Sequence, residues 1–234
     1  MSDTNSGKIS GIKWDDLNGN GFRDSELIQG NNPDVVFVVD TSGSTEDDFE
    51  GTSVGDVNGD DDVDSILDAQ LKGFIDLNKQ LIAQGLGDTA EVGIVAFAGS
   101  AAQVDMNPAV DGVQLTTTPN ADNDNNGIKD VEQVLSSIGV EAFNVSSGTD
   151  FEAALQGVLG IVAGDENVVF LSDGEHNRGN FTDEVTELNE KGVNLSAFGV
   201  GEDASLDDLK LIDPDATIFT STDELLGVFG NISS

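Results

Sequence analysis

The run "VVFVV" at positions 35–39 constrains this chain more than any other stretch. Five consecutive β-branched or aromatic residues show no polar alternation, so a strand made from them has to be covered on both faces. "VGIVAF" at 92–97 and "VVFL" at 168–171 repeat the pattern. Strand-type runs fall at 35–40, 91–98, 113–117, 167–172, 193–200 and 217–220. Helix-type runs lie between or after them, at 64–84, 130–138, 150–162, 182–191, 205–212 and 223–229. The first helix run places Ile66, Leu67, Leu71, Phe74, Ile75, Leu77, Leu81 and Ile82 on one broad apolar stripe. Thr182 and Ser221, each followed by early acids, read as helix starts. This alternation predicts an α/β domain with a doubly wound, mostly parallel central sheet and helices on both faces. Ligands of such sheets sit outside the carboxyl ends of the strands. Asp40 and Asp173, each closing a strand-type run, are therefore expected at one rim.

Charge narrows the partners. The chain carries 45 acidic against 9 basic residues, a formal charge of −36. Nucleic acid is excluded as a partner, because binding it needs clustered Lys and Arg, and anionic membrane surfaces are disfavoured for the same reason. So many carboxylates repel one another unless something neutralises them, and divalent cations or a salty medium would do so. With no cysteine, disulfides say nothing about the compartment. No apolar run approaches a membrane span, so direct membrane insertion is not expected. The start "MSDTNSGKIS" lacks the charged and apolar regions of a secretory signal. The chain is expected to be cytosolic, exported without an N-terminal signal, or one module of a larger protein. Residues 1–32 are polar and Gly/Asn-rich and read as an N-terminal extension in which Trp14 anchors packing. Residues 33–234 read as the α/β domain, with insertions near 45–64 and 118–130.

One spacing occurs three times. Asp16, Asn18, Asn20, Phe22 and Asp24 form the first copy; Asp56, Asn58, Asp60, Asp62 and Asp64 the second; Asp122, Asp124, Asn126, Ile128 and Asp130 the third. Side-chain oxygens at positions 1, 3, 5 and 9 of a tight loop can turn toward one point. The position-7 carbonyl adds another oxygen, and glycine at position 6 permits the sharp turn. Such a shell of hard oxygens suits Ca²⁺ rather than Mg²⁺. The alternative is that Asn, Asp and Gly simply make turns. The spacing resembles the loops of EF-hands, dockerins and calcium repeats of large bacterial adhesins. It departs from the full EF-hand, since position 12 is Leu27, Leu67 or Gln133 and no bidentate Glu closes the loop. The second copy is the weakest, with Asp61 at the glycine position.

"DTSGS" at 40–44 follows a buried strand and has the D-x-S-x-S form. "SSGTD" supplies Thr149 before a helix run, and "VVFLSDGE" supplies Asp173 at a strand end. In this order the three motifs resemble the metal-ion-dependent adhesion site of von Willebrand factor type A domains, across roughly 33–232. The resemblance implies a Mg²⁺ or Mn²⁺ ion held by the Ser42, Ser44 and Thr149 hydroxyls, with Asp40 and Asp173 acting mainly through water. Neutral hydroxyls leave much of the cation's charge for a partner's carboxylate. Ser42 is expected on an exposed rim loop, and Thr149 with Asp150 would otherwise serve only to cap a helix. His176 reads as an exposed polar loop residue.

The leading expectation is a metal-dependent adhesion or protein-interaction module of a bacterial calcium-binding secreted or cell-surface protein. It would carry two to three Ca²⁺ sites and one Mg²⁺-type site, and would bind a protein or glycan that offers a carboxylate. The alternative is a calcium-rigidified spacer in a large adhesin, with the metal site unused. Catalysis is not expected: there is no cysteine, no lysine near the motifs and no defensible Ser–His–Asp order. A cytosolic chelatase- or ATPase-associated domain would have little use for Ca²⁺ loops.

Overall fold

The computed structural model describes residues 35–107, 109, 113–174, 176–202, 204–223 and 226. The first calcium-type loop (Asp16 to Asp24), the N-terminal extension and most of the helix run at 223–229 lie outside the described residues.

Among the described residues six strands form one sheet in the order β3-β2-β1-β4-β5-β6, where β1 is Val35–Asp40, β2 Val92–Phe97, β3 Ala101–Gln103, β4 Asn167–Ser172, β5 Asn194–Val200 and β6 Thr217–Phe219. All pairings are parallel except β2 with β3. The helices are α1 Ile66–Ala83, α2 Asp130–Leu135, α3 Phe151–Leu159, α4 Thr182–Glu190 and α5 Leu206–Ile212. Among the described residues no helix is long and apolar enough to cross a membrane.

The alternation of side chains along a strand explains why β1 tolerates no polar residue before Asp40. Val35, Phe37 and Val39 enter the core under α1 and α2, while Val36 and Val38 enter the core under α3, α4 and α5. Phe37 stacks on Phe74 of α1 with ring centroids 4.5 Å apart. On the opposite face Phe97, Phe151 and Phe170 pack at centroid distances of 4.9 to 5.8 Å. Burying each such ring contributes about 2–3 kcal/mol. Helix α1 begins with a capping box, in which Ser65 Oγ accepts from the Asp68 N–H and the Asp68 carboxylate accepts from the Ser65 N–H. At α4 the expected cap is displaced by one turn position. Thr182 is already helical, and Asn180 Oδ1 accepts from its N–H and hydroxyl.

One expected strand is absent and one unexpected strand is present. Residues 113–116 are not a strand, and Thr117 makes only an isolated bridge to Val92. The sixth strand is instead Ala101–Gln103, which folds back antiparallel onto β2 through a tight turn closed by Ala98 N–H donating to Ser100 C=O. Its small, half-buried residues carry no apolar run, so periodicity could not find it.

Candidate metal centre

Strand β1 is the centre of the sheet, and the chain leaves it toward β2 on one side and β4 on the other. This reversal is the switch point at which open α/β sheets form crevices, and Asp40 and Asp173 both fall there. Asp40 is fully buried. Its Oδ1 accepts from the Ser42 N–H at 2.9 Å, and its Oδ2 accepts from the Ser172 hydroxyl at 2.5 Å. The Ser42 and Ser44 hydroxyl oxygens are 3.2 Å apart. Ser42 is 2% exposed rather than lying free on the rim, and the Thr45 hydroxyl donates to its carbonyl at 2.7 Å. Ser44 is exposed. Ser42 occupies the cap position of the short 3₁₀ turn Gly43–Glu46 but makes no side-chain cap bond.

Two side chains not singled out in the sequence hold this loop. Buried Gln70 on α1 accepts from the Asp40 N–H at 3.0 Å and donates to the Asp40 carbonyl at 3.1 Å. Its signal was a polar residue on an otherwise apolar helix stripe. Ser172, the last residue of β4, orients the Asp40 carboxylate.

Thr149 is 4% exposed and is positioned by backbone on two sides. Asn177 Oδ1 accepts from the Thr149 N–H at 3.2 Å, and the Asn177 N–H donates to the Thr149 carbonyl at 3.0 Å. The preceding loop is tied to the end of β2 by Gly99 N–H donating to Ser146 C=O and Asp150 N–H donating to Ala98 C=O. Gly99 is required there, since a Cβ would stand 2.1 Å from the Ser147 carbonyl oxygen. Asp150, not Thr149, caps α3 by accepting from the Ala153 N–H. The Thr149 hydroxyl makes no hydrogen bond among the described residues.

Asp173 follows β4 and is held by the Ser205 N–H, which donates to its carbonyl at 3.0 Å. Burial, and then the negative charge of Asp173, push Asp40 up to about 7 despite its hydroxyl and backbone donors. No Lys or Arg pairs with Asp40 among the described residues. His176 is half-buried rather than exposed. Its ring packs on Phe151 and Phe181 at 5.7 and 5.0 Å, and its Nδ1 lies 2.9 Å from the Arg178 carbonyl oxygen.

The second and third acidic loops have a common backbone. Positions 4 and 6 are left-handed in both, with φ of 77° and 74° at Gly59 and Asp61, and 57° and 88° at Asn125 and Gly127. Position-1 carboxylates gather loop amides: Asp56 accepts from the Gly59, Asp60 and Asp61 N–H groups, and Asp122 from Gly127. Asp60 accepts from the Asp62 N–H, Asp124 from Asn126, and Asn126 from Ile128. Asn58 donates to the Ile138 carbonyl, which ties the second loop to the segment after α2.

The loops close differently. In the third, Asp130 accepts from the Asn123 N–H at 3.0 Å and begins α2. In the second, Asp68 accepts from the corresponding Val57 N–H at 2.7 Å, while Asp64 accepts from Val54, Gly55 and the Ser53 hydroxyl. The Gly55 N–H and then the Ser53 hydroxyl hold Asp64 below the usual carboxylate range. Asp122 Oδ1 is buried without a hydrogen-bond partner among the described residues. Among the described residues, no three or more His, Cys, Asp or Glu side chains form a group that could hold a metal ion. The β1 rim gathers two carboxylates and hydroxyls instead.

The switch point of a mostly parallel open sheet thus carries a hydroxyl-rich loop and two carboxylates. The profile of the von Willebrand factor type A domain matches residues 34–229, and the chain belongs to that family. No curated protein sequence matches it significantly. The fold is similar to proximal thread matrix protein 1 from the mussel byssus (16% identity, TM-score 0.58, 86% of this chain and 45% of that one), a protein also solved with a zinc-occupied MIDAS motif. It is similar as well to BatB from Bacteroides thetaiotaomicron (15%, 0.58, 86% and 97%). A third similar structure is the pilus adhesin SpaC from Lactobacillus rhamnosus GG (14%, 0.56, 88% and 30%). The chain spans under half the length of the mussel protein.

Proposed function

We propose that this chain is a metal-dependent adhesion or protein-interaction module of a bacterial secreted or cell-surface protein, binding rather than catalytic, and one module of a longer chain. The observation that carries the reading is the meeting of two repelling carboxylates and paired serine hydroxyls at the β1–β4 switch point. That donor set fits a Mg²⁺ or Mn²⁺ ion, which when bound would supply Lewis acidity toward a carboxylate of a protein or glycan partner. Ser42, Ser44 and Thr149 would be neutral ligands. Asp40, fixed by Ser42 and Ser172, and Asp173 would hold bound water. The similarity to a pilus adhesin and a byssus matrix protein supports an extracellular setting.

We extend the reading to Ca²⁺ in the loops at 56–64 and 122–130, and by spacing alone at 16–24. Its support is the shared left-handed backbone and the buried Asp122 Oδ1, which has no hydrogen-bond partner among the described residues. The alternative, a Ca²⁺-stiffened spacer, is favoured by the way Thr52 N–H donates to Thr220 C=O and Asn58 to Ile138 C=O, bracing the insertion against β6 and the α2 segment.

Calorimetric titration with Mg²⁺ after Ca²⁺ saturation separates them. The adhesion reading expects one further site that Ser42→Ala removes. No further binding, or binding unchanged in Ser42→Ala, overturns it in favour of the spacer.

A further inference from the structure

In a chain of 45 acidic and 9 basic residues, Arg178 is exposed and its guanidinium has no ion pair among the described residues. The segment that carries it is fastened to the candidate metal centre. Asn177 brackets Thr149 by bonding both its N–H and its C=O. His176, packed on Phe151 and Phe181, places its Nδ1 2.9 Å from the Arg178 carbonyl oxygen. The guanidinium lies against Gly148, where a Cβ would stand 2.9 Å from Nε and 3.2 Å from Cζ. A φ of 109° also reserves that position for glycine. Gly148 directly precedes Thr149, so the guanidinium is seated one residue, about 3.8 Å of backbone, from a candidate ligand of the ion. Glu152 of α3 does not pair with it. Its carboxylate accepts instead from the Asn180 N–H at 3.0 Å and from Gln156 Nε2 at 3.3 Å.

The other flank of the rim has the opposite sign. Asp47, Asp48, Glu50 and Glu202 line a cleft of about 350 Å³ that shares Ser44 and Asp173 with the metal centre. A partner that brings one carboxylate to the ion therefore meets repulsion for a second acid on the Ser44 side and a fork of N–H donors for it on the Thr149 side. A guanidinium binds a carboxylate through two parallel hydrogen bonds, and seating on Gly148 lowers the entropy lost when it does so. We propose that Arg178 is the second contact of the partner, taking a carboxylate next to the one that the metal takes. The ligand is then a protein segment with two acidic side chains close together. Side-chain torsions adapt such a pair to the short spacing, whereas successive uronates of a glycan hold their carboxylates on rigid rings. The proposal rests on the adhesion reading above.

The test uses the full chain, Ca²⁺ held constant, and beads displaying Gly/Ser octapeptides. One set carries a single Glu, and the other carries two Glu one to four residues apart. The expected result is Mg²⁺-dependent retention on the best paired-Glu beads at least about tenfold above single-Glu beads, the equivalent of one charge-assisted contact. That exceeds the doubling that a second copy gives by number alone. Arg178→Gln should erase the advantage while leaving single-Glu retention and the peptide-free Mg²⁺ stoichiometry unchanged. Lys191→Gln should keep it, because Lys191 stands beside Asp165 before β4, at the end of the sheet opposite the rim. No advantage beyond doubling overturns the Arg178 contact and leaves the adhesion reading standing. An advantage that survives Arg178→Gln, or is lost equally in Lys191→Gln, overturns it in favour of bulk charge attraction. A changed Mg²⁺ stoichiometry in Arg178→Gln overturns it in favour of an effect on the ion. Release from paired-Glu beads by digalacturonate at lower concentration than by the free paired-Glu peptide overturns the protein segment in favour of an acidic glycan. No Mg²⁺-dependent retention on any bead removes the adhesion reading and the Arg178 contact with it.

Discussion

Asp40 is buried at the end of a strand with a second carboxylate opposite it, and its pKa of about 7 follows from those two facts. An unfolded Asp titrates near 3.9, so between about pH 4 and 7 the metal-free native state holds a proton that the unfolded state has lost. The contribution of Asp40 to metal-free stability is therefore full below about pH 4 and is lost as pH rises through 7. Metal reverses the dependence, since it takes the ionised form. Melting in chelator should be higher at pH 5.5 than at pH 8, by a margin that Asp40→Asn shrinks, and Mg²⁺ affinity should fall as pH drops through 7. A margin unchanged in Asp40→Asn removes the assignment. Ser42 needs a finer expectation than a free surface serine would. Ser42→Ala loses one partly buried hydroxyl bond, so it should cost about 1 kcal/mol in chelator and more than about tenfold in Mg²⁺ affinity. Gln70→Leu removes the side-chain partner of the Asp40 N–H and C=O. It should destabilise by about 2–4 kcal/mol and weaken Mg²⁺ by about 10–100-fold as an outer-shell change, read by denaturant melts and calorimetry on the same samples. The D-x-S-x-S residues were legible because the motif is contiguous. Gln70 showed only as a polar residue on an apolar stripe, and Asn177 not at all, since their roles exist only once α1 and the loop after β4 pack against β1 and α3.

The elements that carry the acidic loops differ in how each loop runs into its helix. The third loop feeds α2 directly through Asp130, whereas the second is separated from α1 by the Ser65–Asp68 capping box. The shared spacing in sequence conceals this, because whether position 9 or a later acid reaches the position-2 amide depends on where helical backbone begins. Asp61 pays a conformational penalty at φ 74° that glycine would not. Asp61→Gly should therefore raise the melting stability in Ca²⁺ by about 0.5–1 kcal/mol, and a loss of stability would show that the Asp61 side chain has a role of its own. Asp122→Ala should reduce the Ca²⁺-dependent gain in stability of the α/β domain, because its loop leads into α2, whose Val131, Val134 and Leu135 are core. Unchanged Ca²⁺-dependence in that variant would remove the third loop as an ion site. Helix boundaries read from periodicity ran long by one to three residues at several ends, as when 150–162 became Phe151–Leu159. Side-chain pattern continues past the last helical hydrogen bond.

For the molecule as a whole, a charge of −36 makes folding sensitive to counter-ions. Three Ca²⁺ and one Mg²⁺ would offset about eight charges. Binding to the native state alone should then add several kcal/mol at saturation, about RT ln([L]/Kd) for each site. Melting in millimolar Ca²⁺ should exceed melting in NaCl of matched ionic strength, and equal midpoints would leave charge screening as the whole effect. The central strands, the helices between them and the shared rim of Asp40 and Asp173 were determined by sequence alone, because continuous apolar runs admit only a doubly covered sheet and parallel strands put their carboxyl ends on one side. Tertiary structure alone decided the edge. Val113 to Thr117 looked more strand-like than Ala101 to Gln103, yet the tight turn after β2 delivers the latter to the open hydrogen-bonding edge. It also decided that Asp47, Asp48, Glu50 and Glu202 face one cleft, since they come from two loops some 150 residues apart that meet only where β1 and β5 flank β4. Local pattern fixes what each segment can be. Which segments share a rim depends on strand order, a long-range property that no window of residues contains.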